Sequence, residues 1–278
     1  MADWYTSNST AVITGGAKGL GLAFARQFLA DGLKVLIADR DEDALANAAD
    51  TVDHAGRLHT LVADVTDPVS FEHLADHAYH TLGKVNCLMN NAGVMIHAGL
   101  PWENAEKWQK QLDVNLGGTI NGCHTFIPRM LDGGQPGVVI NLGSKQGITN
   151  PPGSYAYNLT KAGIRTYTES TAHALRQIEG GRLSAHLLVP GFTYTPLVAR
   201  FIPEKPDFAW TPEQVVEFAL PRLQAGDFYV ICPDNESPWE LDRKRILWNA
   251  QDLTENRPAL SRWHDDHKAD FETFVKGE

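Results

Sequence analysis

Short apolar runs with little polar alternation recur along the chain, separated by longer stretches with helical spacing. "AVIT" leads into "LAFARQFLA", "KVLIAD" into a helix opened by "DEDAL", and "LHTLVAD" into a helical stretch before "VNCLMN". A long helical region follows from about Asn104 to Leu131, then "GVVINLG", a second long one from Ser154 to Ile178, and "SAHLLVPG". Strands without a polar face, alternating with helices, need cover on both sides of a parallel sheet. The pattern therefore predicts a doubly wound α/β fold.

Two regions depart from this rhythm. Between Phe192 and Pro212, four prolines (Pro196, Pro203, Pro206, Pro212) interrupt Phe192, Tyr194, Phe201, Phe208 and Trp210. Apolar side chains without helix or strand periodicity predict a folded-over substrate loop, with an ordinary surface loop as the alternative. Beyond "FYVIC", the run "SPWE" offers Ser237 as N-cap, Pro238 at the first helical position and Glu240 three past the cap. "ENRP" stops that helix, and "SRWHDDHKADFETFV" reads as a final one whose Trp263, Phe271 and Phe274 must dock somewhere. No repeat or low-complexity linker divides the chain. Residues 1–232 thus read as one core, and 233–278 as a helical extension packed on it or on a neighbouring subunit.

At 278 residues and 43% hydrophobic, the chain is long and apolar enough to bury a full core. A formal charge of −10 argues against binding phosphate backbones through a basic surface, so no nucleic-acid partner is expected. The start, "MADWYTSNST", lacks the basic and apolar segments of a signal peptide, and no apolar run reaches membrane-span length, so a cytoplasmic protein without membrane contact is expected. Cys87, Cys123 and Cys232 are far apart and sit mostly in apolar stretches, as buried reduced thiols would. His73, His77 and His80 share a helical face, but nothing in sequence supplies a further ligand, and no metal site is expected.

The first strand feeds directly into "TGGAKGLG", with Gly15, Gly19 and Gly21 at a strand-to-helix turn. Glycines there let the backbone approach a pyrophosphate, and the helix that follows presents free N–H groups and its positive end. The next strand ends in Asp39, where a carboxylate can accept hydrogen bonds from an adenosine ribose and repel a 2′-phosphate. Asp39 thus favours NAD over NADP. Arg40 and Lys18 pull the other way, since either could pair with that phosphate. Further on, "SYAYNLTKAG" sets Tyr157 one helical turn before Lys161, while Tyr155 has Leu159 at the same spacing.

Taken together, these motifs resemble the short-chain dehydrogenase/reductase family, in its shorter branch with a TGxxxGxG turn; the likeness runs from Ala11 to about Cys232. The resemblance implies a Rossmann fold, a nicotinamide cofactor, a homodimer or homotetramer, and a role for each matching position. Leu20 lies within the glycine turn. "ADV" (Asp64, Val65) matches the family's adenine-pocket turn, and "NNAG", with Asn91, Ala92 and Gly93, the motif that steadies the sheet beside the cofactor. "VPGFTYT" matches the PGxxxT segment, which assigns Pro190, Gly191, Thr193 and Thr195 to the cofactor. "DVNLGG" puts Asn115 at the catalytic asparagine, and Ser144 precedes Tyr157 by the thirteen positions the family uses. The same count from Tyr155 lands on Leu142, which has no hydroxyl.

The implied catalytic set is thus Asn115, Ser144, Tyr157 and Lys161, with Tyr157 and Lys161 also touching the cofactor. A free phenol has a pKa of about 10 and needs a nearby cation to act as a base at neutral pH. The expected activity is hydride transfer between a secondary alcohol or ketone, apolar or aromatic, and NAD. A non-catalytic dinucleotide sensor is the alternative, and a nucleotide-sugar epimerase or dehydratase would show another glycine spacing. Departures are Gly143 for the usual second serine, "LT" (Leu159, Thr160) before the lysine, and the long polar Lys145 and Gln146 after Ser144. Those last two are candidates for substrate contact, with solvent exposure of Lys145 as the alternative.

Overall fold

The computed structural model describes residues 3–52, 55–178 and 180–277. Its centre is a seven-stranded parallel sheet of order β3-β2-β1-β4-β5-β6-β7. The strands are β1 (Thr10–Thr14), β2 (Lys34–Asp39), β3 (Leu58–Val62), β4 (Cys87–Asn90), β5 (Gly137–Leu142), β6 (Leu183–Val189) and β7 (Tyr229–Ile231). Every apolar run singled out in the sequence is one of these strands.

Successive side chains of a strand point to opposite faces, so each strand feeds two cores. In β1, Ala11 and Ile13 enter one layer and Val12 the other. The first layer packs under α1 (Gly19–Ala30), α2 (Glu42–Thr51) and α9 (Pro212–Ala225), through Phe24, Phe28, Leu45, Val215 and Leu223. The second packs under α3 (Pro68–Leu82), α5 (Gly118–Asp132) and α7 (Tyr155–Arg176), through Phe71, Leu74, Phe126 and Leu175. The strand order reverses between β1 and β4, which opens a crevice at the carboxyl ends of the strands.

Three local expectations are corrected. The helix spanning Asn104 to Leu131 is interrupted: α4 (Ala105–Gln111) passes into a π-helical turn at Leu112–Gly117 before α5 begins. Apolar spacing carries no mark of such an insertion, which the tertiary contacts around Asn115 hold in place. The box around Ser237 does not form. Helix α10 (Trp239–Thr254) starts after Pro238 without a side-chain cap, because the Ser237 hydroxyl accepts instead from Arg245 Nη1 at 2.7 Å. The final helix is broken into two 3₁₀ turns, Ser261–Trp263 and Asp265–His267, followed by α11 (Lys268–Lys276). The break lets Ser261 Oγ accept from Trp248 Nε1 and donate to Asp252, at 2.8 and 2.6 Å. Phe271 and Phe274 dock edge-on against Trp248, whereas Trp263 lies beside Arg262.

Candidate active site

Behind β1 the chain makes its glycine turn with Gly15 at φ +61° and Gly19 at φ +56°, a left-handed backbone that glycine tolerates. Asn91 locks the turn to the end of β4: its Nδ2 donates to the carbonyls of Thr14 and Gly15, both at 2.9 Å. Thr14 Oγ1 returns the contact by accepting from the amides of Asn91 and Ala92, at 3.1 and 3.2 Å. Gly21 does not face the crevice. A Cβ there would lie 2.6 Å from both Asn91 Nδ2 and the Gly15 carbonyl, so its role is to let α1 sit close to the turn. Helix α1 begins after Lys18 with no side-chain cap, which leaves its first amides to an outside acceptor.

At the tip of β2, Asp39 accepts from the amides of Ala17 and Asp41, at 3.3 and 3.2 Å, and its carboxylate lines the crevice. Lys18 Nζ is 2.6 Å from Asp41 Oδ2, so this ammonium already has a carboxylate, and Arg40 is exposed at the rim. Asp64 accepts from the Thr66 amide and hydroxyl, and these bonds hold it below the usual carboxylate range.

Across the crevice, β5 ends at Leu142 and the chain turns through Ser144 into α6 (Gln146–Thr149). Helix α7 starts at Tyr155, so Tyr157 and Lys161 stand on successive turns facing that segment. Ser144 Oγ accepts from the Gln146 amide at 3.2 Å, and its hydroxyl draws the Tyr157 pKa down. Lys161 Nζ donates to the Leu142 carbonyl at 2.7 Å and lies 5.6 Å from the Tyr157 ring centre. Burial pushes the phenol up to about 12, against the pull of Ser144, and pushes the ammonium down to about 7. A low-dielectric site disfavours either charge alone, so phenolate and ammonium are each favoured by the other.

One crevice of about 590 Å³ unites these parts. Ser144, Tyr157, Lys161 and all the expected cofactor positions other than Gly21 line it, from Gly15, Lys18, Gly19 and Leu20 through Asp39, Arg40, Asp64, Val65, Asn91, Ala92 and Gly93 to Pro190, Gly191, Thr193 and Thr195. Thr195 stands over the glycine turn, with its Cβ 3.3 Å from where a Gly19 Cβ would be. Asn115 is the exception among the expected catalytic residues. It is fully buried in the π-helical turn, its Oδ1 accepting from the Val94 amide at 2.7 Å and its Nδ2 donating to the Val94 carbonyl and Thr160 Oγ1. Its side chain thus shapes the wall that follows β4. Tyr155 does not line the crevice.

The family model for short chain dehydrogenases matches residues 9–206. The chain belongs to the short-chain dehydrogenase/reductase family. It is 32% identical over 242 residues to the 3-alpha-(or 20-beta)-hydroxysteroid dehydrogenase of Mycobacterium tuberculosis, covering 85% of this chain and 86% of that one. It is 33% identical to the NADP-dependent (R)-specific alcohol dehydrogenase of Lentilactobacillus kefiri, over 68% and 74% of the two chains. A short-chain dehydrogenase/reductase from Burkholderia phymatum, crystallised in complex with NAD, superposes with a TM-score of 0.82 at 28% identity, covering 93% of this chain and 98% of the other. Membership makes this an oxidoreductase-family protein. Among its described residues no helix is long and apolar enough to cross a membrane.

At the outer end of the crevice, sequence reasoning expected a loop over 192–212 but not the residues from beyond β7. Phe192 and Phe208 pack edge-on at 5.1 Å, and Thr193 bridges to Trp210, which folds the 192–212 loop over the opening around α8 (Pro196–Ala199). Asp234, Ser237 and Arg245 line the same end. Lys145 is not solvated: its Nζ is 3.3 Å from Asp234 Oδ2 and 2.5 Å from Asp242 Oδ2, on a side chain only 19% exposed. The one local signal was an unusually long polar residue beside Ser144. Its partners lie roughly ninety residues further on.

Proposed function

We propose that the protein is an NAD-dependent dehydrogenase that transfers hydride between the nicotinamide and a secondary alcohol or ketone of bulky, largely apolar character. The observation that carries this reading is the convergence of Ser144, Tyr157 and Lys161 on the crevice that also holds the glycine turn and Asp39.

The residues present suit a dinucleotide. The turn exposes backbone amides at the start of α1, and Asp39 is placed to accept from ribose hydroxyls while repelling a 2′-phosphate. Lys18 already faces Asp41, an exposed carboxylate that competes with such a phosphate for it. When bound, the nicotinamide supplies the carbon that accepts or returns hydride and, oxidised, a positive charge.

In oxidation Tyr157 takes the alcohol proton, and in reduction it gives that proton back to the forming alkoxide. Ser144, which lines the crevice with the phenol, holds the substrate oxygen within reach of it. Lys161, protonated beside a phenolate, supplies the charge that lowers a phenol otherwise pushed to about 12. Phe192, Leu197, Val198 and Phe208 provide apolar wall for the body of the substrate, in keeping with the steroid named for the mycobacterial relative. A sensor would have no use for a phenol, serine and lysine brought together in this way. The family resemblance also carries the expectation of a homodimer or homotetramer, checked by light scattering.

The test is absorbance in the reduced-nicotinamide band with NAD and NADP in parallel, across aliphatic, aryl and polycyclic secondary alcohols. Turnover with NAD at tenfold or greater preference, of the order that one lost charge contact represents, supports the reading. Binding of NAD without turnover on any panel member favours the sensor.

A further inference from the structure

Three polar residues of the crevice have no part in proton transfer: Ser237 and Arg245, from the segment leading into α10 and from α10 itself, and Lys145 beneath them. Their charges are unevenly satisfied. Asp234 is fully spent, with Oδ2 accepting from the Phe192 amide and Lys145 and Oδ1 from the amides of Glu236 and Ser237. Burial works against that carboxylate, but the Phe192 amide and the Lys145 charge outweigh it and hold its pKa below the ordinary value. Asp242 is 5% exposed and is drawn to Lys145 at 2.5 Å.

Arg245 is left with little. Its nearest carboxylate atom, Asp242 Oδ1, is 3.6 Å away, beyond good hydrogen-bond length, and the same carboxylate serves Lys145. Among the described residues its hydrogen bond is the one from Nη1 to Ser237 Oγ, while Nε is sealed from solvent without a partner. A guanidinium offers five donors in a planar fork, so most of this one is unused. Behind it stands Arg262, a second half-buried guanidinium whose contacts are the ring faces of Trp263 and Phe271 and which feels the Arg245 charge. Lys145 and Arg245 therefore share the buried Asp234 and Asp242, and the charge of Arg262 adds to theirs. Glu236, the other acid at this end, is exposed and makes no ion pair within 4 Å among the described residues.

We propose that Arg245 and Ser237 form a carboxylate-binding subsite, so that the preferred substrate carries an acidic group at the end remote from its carbinol. The planar fork of Arg245 matches a carboxylate in two-point contact. Ser237, having accepted from Arg245, keeps its own proton to donate to the same anion. A dianionic phosphate fits less well, since Asp234 and Asp242 stand close behind Arg245 and would repel its second charge. The anion would restore the missing balance in a buried cluster. A neutral substrate leaves a half-paired guanidinium facing its apolar body.

The proposal rests on the dehydrogenase reading for its functional meaning, but its test does not need turnover. Calorimetric titration of the NAD-saturated protein would compare 4-oxocyclohexanecarboxylate with its methyl ester, in wild type, Arg245→Met and Arg245→Lys. The acid should bind wild type at least about tenfold more tightly than the ester, a charge-assisted hydrogen bond being of this order. That preference should collapse in Arg245→Met and be partly kept in Arg245→Lys, which retains charge without the fork. If Arg245→Met does not fold, the wild-type and Arg245→Lys ratios decide. Equal binding of acid and ester to wild type overturns the subsite, as does a preference that Arg245 substitution leaves intact. Failure of hydride transfer on every panel alcohol, with the acid preference present, would instead refute the dehydrogenase reading and leave the subsite standing.

Discussion

Lys145 Nζ lies 2.5 Å from Asp242 Oδ2, so the residue directly after Ser144 is tied to helix α10 of the C-terminal extension. The same ammonium reaches Asp234, whose Oδ2 also accepts from the amide of Phe192 at the base of the 192–212 loop. A third tie joins Asn249 Nδ2 to the Ile148 carbonyl in α6. One half-buried cation fastens the serine segment, the loop over the crevice and the C-terminal extension.

Lys145→Met should cost about 2–4 kcal/mol, somewhat under the usual penalty for breaking a buried pair because the lysine is partly exposed. Asp242→Asn should cost less, since burial already raises its pKa against the pull of Lys145. In the double variant the two costs should fall short of their sum. Urea unfolding of the four proteins checks this.

The buried ammonium of Lys161 gives a pH signature. Its folded pKa of about 7 lies below the value of about 10.4 in an unfolded chain. Between these values the unfolded chain holds a proton that the folded protein lacks, so this group makes stability rise with pH across that window. Tyr157 works in the opposite sense: its phenol, raised to about 12, stays protonated when an unfolded tyrosine has ionised, but only above about pH 10. Unfolding of the cofactor-free protein from pH 6.5 to 9.5 should show wild type gaining on Lys161→Met as pH rises.

Asn115→Ala should behave as a structural lesion. It strips partners from both the amide and the carbonyl of Val94, as well as from Thr160 Oγ1. Leaving buried polar groups unmade costs about 1–3 kcal/mol each before relaxation, so lower melting temperature should accompany the loss of activity. Undiminished stability would show that Val94 is held by other means.

Cofactor choice should reside in two carboxylates. Asp39→Ser removes the charge facing a 2′-phosphate, and Asp41→Asn frees Lys18 to meet it. Together they should shift the NADP-to-NAD ratio of kcat/KM upward by at least about tenfold, mostly from Asp39, with the exposed Asp41 adding less. Steady-state kinetics with both cofactors measures this.

The architecture was legible because each strand is a short apolar run and the local rule for parallel sheets applies directly. The crevice was legible too, since glycines at a strand-to-helix turn, Asp39 at a strand end and the Tyr157–Lys161 spacing are all local relationships. What escaped were features set by distant contacts. The π-helical turn around Asn115 is fixed by Val94 and Thr160, and the Ser237 cap is lost because Arg245 claims the hydroxyl. The Lys145 partners lie far along the chain, in an extension whose helices alone gave no sign of what they face.

The most direct test of the central claim is Tyr157→Phe, which removes one hydroxyl from a ring that otherwise keeps its place. With the best alcohol of the panel and saturating NAD, kcat should fall by about 10²–10⁴, the range for loss of a positioned proton acceptor. Melting temperature and NAD affinity should stay near the wild-type values. Turnover that survives this substitution would contradict the account.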